Sequence, residues 1–286
     1  MQLPKGSKAL EEEHAAVSQL NALATAAEAA YSSEDYGKAR LLYARLLQHT
    51  GAKPVMLAAA RAEVALGTVD QALRLTLQVI KGDSSNVEAY SIRGMALFLS
   101  ADYDQAMKHL KEALRLDPDA RYAAGGFKRV RKVERFASAA KEAVGQRRFE
   151  DAVEQWSAAI EAAELPAHAP LTAVLHSERA NAHLRSQQYE PCMQDCGVAI
   201  YAQDDCKSAH LHKASALHAL DRHEEALECM ESLIQMYEHD EVVKHWHEQA
   251  QFKVKRKNRP EYYSLLGVPK VASEIEIKAA YVYLYV

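Results

Sequence analysis

Residues 87–120 read VEAYSIRGMALFLSADYDQAMKHLKEALRLDPDA, and this stretch decides the fold. Its chemistry predicts two helices packed as a hairpin. Gly94 and Ala106 are small where the two helices approach each other, and Tyr103 packs at the turn. Pro118 ends the second helix because proline cannot continue one.

The same register recurs along the chain and defines six copies between about residues 20 and 240. A small residue marks the second helix of each copy, at Ala39, Ala72, Ala106, Ala152, Cys192 and Ala226. Another marks the first helix, at Ala27, Ala60, Gly94, Ala140, Ala180 and Ala214. The turn positions are Tyr36, Val69, Tyr103, Phe149, Tyr189 and His223. Extra residues precede the fourth copy, at 121–132, and the fifth, which follows a proline-containing loop.

This hairpin unit resembles the tetratricopeptide repeat. The resemblance implies an all-α fold, a right-handed superhelical solenoid of about six helix-turn-helix repeats. In such arrays the first helices line a groove that binds protein segments.

The composition narrows the class of protein. The 286 residues are 49% apolar and carry a formal net charge of −4, which does not favour nucleic acid or an anionic membrane as partner. No apolar run is long enough to span a bilayer. The first residues lack the apolar centre of a signal peptide, so we expect a cytoplasmic location, with the endoplasmic reticulum lumen as the alternative if a leader is missing. Cys192 and Cys196 occupy core positions of the fifth copy, so we interpret them as buried core residues and not as metal ligands.

The groove of the first three repeats is the candidate binding site. The residues that we expect to contact a client or peptide are Tyr31, Leu57, Arg61, Val64, Ile92, Met95 and Phe98. Exposed apolar residues with a flexible methionine suit the binding of extended hydrophobic segments. The alternative is that several of these residues pack between neighbouring repeats.

Relatives that grip the C-terminal carboxylate of cytosolic heat-shock chaperones carry a clamp of Lys, Asn and Arg. The matching positions of this chain are Ala24, Glu28, Ala58, Glu88 and Ile92 in the first three repeats, and Ala137, Lys141, Glu178, Ser208 and His212 in the next three. The cationic clamp is therefore lost, and the glutamates would repel a carboxylate. We expect no binding of this kind.

Two basic runs could bind anions, but we interpret them as solvated helix faces. They are Lys128, Arg129, Arg131, Lys132 and Arg135, and Lys253, Lys255, Arg256, Lys257 and Arg259. No glycine-rich phosphate loop, HExxH or nucleophile elbow occurs, so we predict no enzyme and no metal or other cofactor.

The tail, residues 260–286, no longer follows the repeat pattern. Its pattern YYxLLGVxxxASxxEIKxAY resembles the first half of a J-domain, the module that stimulates the ATPase of seventy-kilodalton heat-shock chaperones. The resemblance implies a two-helix core formed by Tyr262, Tyr263, Leu265, Leu266, Ile277 and Tyr281. Basic residues of the second helix are replaced by Val282 and Tyr283, and no His-Pro-Asp turn follows in the given chain. We therefore expect this chain not to stimulate the ATPase.

The whole order resembles the tetratricopeptide-repeat DnaJ co-chaperones. The predicted parts are an N-terminal helix with three repeats at 1–120, a linker or helix extension at 121–132, three repeats at 133–240, a basic capping helix at 241–259 and a partial J-domain at 260–286. The first hypothesis is a co-chaperone that binds unfolded or partner polypeptides and, in an intact form, passes them to the seventy-kilodalton chaperone. The second is a protein-interaction scaffold without chaperone activity.

Overall fold

The structure is a computed structural model that describes residues 5–258 and 262–284. The chain forms two compact units, unit 1 (Met1–Ala216) and unit 2 (Leu217–Val286). Over the described residues every regular element is a helix, so the predicted all-α class is confirmed.

In unit 1, each helix packs against the next helix along the chain. Unit 1 contains α1 (Lys5–Ser32), α2 (Tyr36–Leu47), α3 (Lys53–Leu66), α4 (Val69–Gly82), α5 (Val87–Leu99), α6 (Tyr103–Leu116), α7 (Arg121–Gly145), α8 (Phe149–Ala163), α9 (Pro170–Arg185) and α10 (Tyr189–Ala202). The residues of α11 (Lys207–Ala219) fall in both units. Unit 2 also contains α12 (His223–Met236), α13 (Glu241–Lys257), α14 (Tyr262–Leu265) and α15 (Glu274–Leu284).

The repeat register read from the sequence coincides with the helices. All six predicted turn residues, from Tyr36 to His223, are the first residues of α2, α4, α6, α8, α10 and α12. The six small residues of the second helices are completely buried. At Gly94 a Cβ atom would lie 2.6 Å from Leu110 Cγ, so the predicted close crossing of α5 and α6 is confirmed.

The extra residues at 121–132 are helical and continue directly into the first helix of the fourth repeat. Gly125 and Gly126 disfavour helix, yet α7 runs without interruption from Arg121 to Gly145. The two glycines differ in their surroundings. Gly125 is exposed, whereas Gly126 is buried against Met95 of α5.

Replacing these two glycines by alanine should have different effects on stability. In a helix interior alanine is favoured over glycine by about 1 kcal/mol. A Cβ at position 125 meets nothing within 4 Å, so Gly125→Ala should stabilise the protein by up to that amount. A Cβ at position 126 would lie 2.7 Å from Met95 Sδ, and the required shift should cancel the gain. Urea unfolding of the two variants measures the difference, and equal gains would contradict the close packing of α7 on α5.

A buried ion cluster joins three helices of unit 1. The carboxylate of Asp195 in α10 is 4% exposed and accepts hydrogen bonds from Arg179 Nε at 2.8 Å and Nη2 at 2.7 Å. His176 Nδ1 lies 2.8 Å from Asp195 Oδ1. Arg179 Nη1 also donates to Ser157 Oγ of α8, at 3.0 Å. On either side of Asp195 in α10, Cys192 and Cys196 are completely buried, as the repeat register predicted.

The tail of unit 2 has clear local stop and start features. Gly267 follows the short helix α14 with a φ of 66°, and Ser273 and Glu276 form a capping box at the start of α15, with Ser273 N donating to Glu276 Oε2 at 2.7 Å. No described residue of α15 is buried. Of the expected J-domain core, Leu265 is 60% exposed and Tyr281 54% exposed.

The remaining core predictions for the tail are mixed. Tyr263 is exposed, and Leu266 and Ile277 are half-buried. The side chain of Tyr262 lies outside the described residues. The assignment of this segment to a J-domain stays a prediction. Across residues 5–258 and 262–284, no helix combines the length and apolarity needed to cross a membrane.

Candidate functional site

A pocket of about 510 Å³ lies in unit 1 among α3, α5 and α7 and the segment that follows α8. Its lining residues are Tyr36, Val64, Ala65, Met95, Phe98, Leu99, Arg121, Tyr122, Gly125, Gly126, Arg129, Ala163, Glu164, Leu165 and Pro166. The pocket thus joins first helices of the repeats to the helical extension at 121–132.

The floor of the pocket is apolar and tightly packed. Met95 is 5% exposed and Phe98 is completely buried, with its ring centroid 6.1 Å from that of Tyr103. Val64 of α3 is 8% exposed. These side chains offer a rigid apolar surface, with the flexible thioether of Met95 as its adaptable part.

Tyr122 supplies the accessible aromatic side chain of the pocket. It lies in the first turn of α7 and is 52% exposed. Partial burial raises the pKa of Tyr122 to about 12. Tyr31 and Glu88 add to this rise and Arg129 opposes it, so all three lie within electrostatic reach of the hydroxyl. Tyrosine at such a place gives an apolar ring and a hydrogen-bonding tip.

Two arginine–glutamate pairs flank Tyr122. Arg129 Nη2 lies 2.6 Å from Glu164 Oε2 and so links α7 to the segment after α8. Arg61 Nε lies 3.3 Å from Glu88 Oε1, and the Arg61 guanidinium lies 5.9 Å from the centre of the Tyr31 ring. The site is therefore apolar at its floor and polar at its rim, a composition common to ligand-binding pockets.

The seven residues predicted from the sequence separate into three groups. Val64, Met95 and Phe98 line the pocket but are buried, so they form its floor and not an open groove. Tyr31 and Arg61 are partly exposed beside it.

The other two predicted residues do not line this pocket. Leu57 is 4% exposed and Ile92 is 1% exposed. Both side chains are buried within the repeats, which agrees with the alternative interpretation, and their role in binding stays a prediction.

Sequence reasoning missed the contribution of α7. The sequence places Tyr122 and Gly126 in the linker or helix extension at 121–132 and Arg129 in a solvated basic run, but their spacing of four and three residues puts them on one helix face. That face covers α5, and Gly126 permits the close approach. This spacing and the glycine between the two side chains are the sequence features from which the shared helix face could have been predicted. Lys128 and Arg131 of the same run are exposed, as predicted.

The chain is a tetratricopeptide-repeat protein. Residues 87–120 and 208–240 each match the tetratricopeptide-repeat family. The crystal structure of the P58(IPK) TPR domain matches with a TM-score of 0.61 over 91% of this chain and 72% of that chain. The two are 19% identical in sequence, so this likeness establishes the fold alone.

The resemblance to DnaJ proteins is confirmed by comparison with curated relatives. The DnaJ homolog subfamily C member 7 homolog of Schizosaccharomyces pombe is 32% identical over 213 residues, which are 74% of this chain and 44% of that protein. DnaJ homolog subfamily C member 7 of Mus musculus is 27% identical over 219 residues, 76% of this chain and 43% of that protein. The matched region thus spans less than half the length of these relatives.

Proposed function

We propose that the chain is a non-enzymatic adaptor of the co-chaperone type that binds polypeptide segments in the unit 1 pocket. An extended segment would place one apolar side chain on the floor formed by Met95 and Phe98. The ring and hydroxyl of Tyr122 would cover that side chain and hydrogen-bond the adjacent backbone. The observation that carries this proposal is the half-exposed Tyr122 above a buried apolar floor.

Three further features support binding of polypeptide. The pocket volume of about 510 Å³ suits a side chain with its flanking backbone. The rim arginines, Arg61 and Arg129, can interact with carbonyl groups of a bound segment. The relatives are named as DnaJ homologues, which agrees with a role in polypeptide handling.

Replacing Tyr122 by serine tests this function. We expect the affinity for a permanently unfolded model protein, such as reduced and carboxymethylated α-lactalbumin, to fall about tenfold, because a central aromatic side chain often dominates binding. Fluorescence anisotropy of the labelled ligand measures the change. Suppression of aggregation of a heat-denatured protein should weaken in parallel.

Tyr201→Ser is the matched control, since Tyr201 is 67% exposed in α10 and does not line the pocket. It should bind the unfolded protein as tightly as the unchanged chain. If the Tyr122→Ser variant also binds as tightly as the unchanged chain, the binding site does not include this pocket. Complete absence of binding by the unchanged chain would favour the second hypothesis, a scaffold for one folded partner.

Transfer to a seventy-kilodalton heat-shock chaperone requires a complete J-domain. We propose this step only for a product in which a His-Pro-Asp turn follows the two tail helices.

A further inference from the structure

A cavity of about 630 Å³ in unit 2 carries a concentration of basic groups. Its lining residues are His218, Asp221, His223, Lys253, Arg256 and Lys257. The three cations lie at three- and four-residue spacing in α13 and therefore share one helix face. The histidines come from the end of α11 and the start of α12.

His218 presents a buried nitrogen without a partner. Its side chain lines the cavity and the residue is 9% exposed. Its Nδ1 lies 3.1 Å from His223 Nδ1. Its Nε2 is buried and has no hydrogen-bond partner within the described part of the chain. A buried polar atom left without a partner is costly, and a ligand in the cavity would remove that cost.

The three basic side chains of the cavity differ in whether they have an acidic partner. Lys257 Nζ donates to Asp221 O at 3.1 Å and lies 3.3 Å from Glu224 Oε2. Lys253 and Arg256 have no ion-pair partner among residues 5–258 and 262–284. Two positive charges and one orphaned imidazole nitrogen therefore face the same space.

We propose that this cavity binds a tetrahedral oxyanion, such as a phosphate group, through Lys253, Arg256 and His218. A dianion would neutralise both uncompensated cations. The planar guanidinium of Arg256 matches two oxygens of a phosphate, and the ammonium group of Lys253 acts as a point charge. A monocarboxylate would leave one cation unpaired. The site is separate from the polypeptide pocket of unit 1.

The histidines explain how the anion would be bound. His223 Nε2 lies 3.7 Å from Asp221 Oδ1, which favours a proton on that nitrogen. His223 Nδ1 then accepts from His218 Nδ1, and His218 Nε2 carries a lone pair until it takes up a proton. Burial, followed by the charges of Lys253 and His223, lowers the pKa of His218 to about 4.

A bound anion would counteract the effects that lower the pKa of His218. It favours the protonated imidazole, whose Nε2–H can donate to an anion oxygen. The carboxylates of Asp221 and Glu224 would repel the anion. The side chains of Lys253, Arg256 and Lys257 would attract it. Anion binding and proton uptake by His218 should therefore be linked, and the affinity for an anion of constant charge, such as sulfate, should rise as the pH falls.

The full chain should be titrated with inorganic phosphate by calorimetry at constant ionic strength. We expect saturable binding that weakens about tenfold in Lys253→Met and in Arg256→Met, since each removes one charge-assisted hydrogen bond. Lys244→Met is the matched control, because Lys244 also lies in α13 but pairs with Glu241 at 2.8 Å. It should leave the affinity unchanged.

Two further experiments identify the source of the phosphate group and test whether its binding is linked to protonation of His218. Tighter binding of N-acetylphosphoserine amide than of phosphate would support a phosphorylated partner segment, and the reverse would support a free phosphate compound. Sulfate, which stays dianionic, should raise the NMR titration midpoint of His218. Displacement of phosphate by equimolar chloride, or equal affinities of the Lys253→Met and Lys244→Met variants, would overturn the proposal.

Discussion

Replacing Asp195 by asparagine should lower the free energy of unfolding by about 3 to 5 kcal/mol at neutral pH. The substitution keeps the shape of the side chain but leaves the charge of Arg179 without its partner. Arg179 has a side-chain exposure of only 22%, so water compensates this charge poorly. Urea unfolding followed by circular dichroism measures the loss in the transition that includes α9 and α10.

Glu190→Gln is the control for this substitution. Glu190 lies in the first turn of the same helix and is exposed, so its replacement should change the stability by less than about 0.5 kcal/mol. An equally small effect at Asp195 would show that the ion cluster does not stabilise the fold.

The cluster also predicts a pH dependence. Burial alone would raise the pKa of Asp195, but the hydrogen bonds from Arg179 and His176 outweigh it and hold the pKa below the ordinary value of 3.8. The stabilisation is therefore present above that value and is lost as the pH falls through the lower pKa of the folded protein. The difference in stability between the unchanged chain and Asp195→Asn should shrink in the same acidic range.

Replacing Phe98 by alanine should cost about 3 to 5 kcal/mol, because the phenyl ring is completely buried and its removal leaves a cavity beside the pocket floor. Thermal and urea unfolding measure this loss. Phe252→Ala is the matched control, since Phe252 is 57% exposed and should lose less than about 0.5 kcal/mol. A loss below about 1 kcal/mol at Phe98 would contradict the packing of the floor.

The burial of Phe98 also determines which variants can report on binding. Charged substitutions at Met95 or Phe98 are an obvious choice if these residues form an open groove. In the structure they would place a charge in the core, and the protein would unfold before binding was affected. Tyr122 lies at the surface of the same pocket, so its replacement separates binding from stability.

Much of the fold could be predicted because the repeat is a local pattern. Small residues such as Ala39 and Ala72 recur where paired helices touch, and the six turn residues coincide with the starts of six helices. The groove could be predicted only in part. Position within a repeat identifies the helix that lines the groove, but it does not show which neighbour covers each residue. The repeat position of Leu57 and Ile92 predicts exposure in the groove, whereas in the fold both are buried.

The tertiary structure decided the features that depend on distant segments. Gly67, with a φ of 84°, brings the end of α3 so close to the α8–α9 segment that a Cβ would lie 2.7 Å from Ala169 N. The helical extension places Tyr122 and Gly126 over α5, and α13 directs Lys253 towards the cavity that contains His218. The sequence alone determined the all-helical class, the register of the repeats and the kinship with DnaJ proteins, since these depend on neighbouring residues. The pocket and the cation-lined cavity depend on contacts between residues far apart in the chain, which only the packing of whole helices establishes.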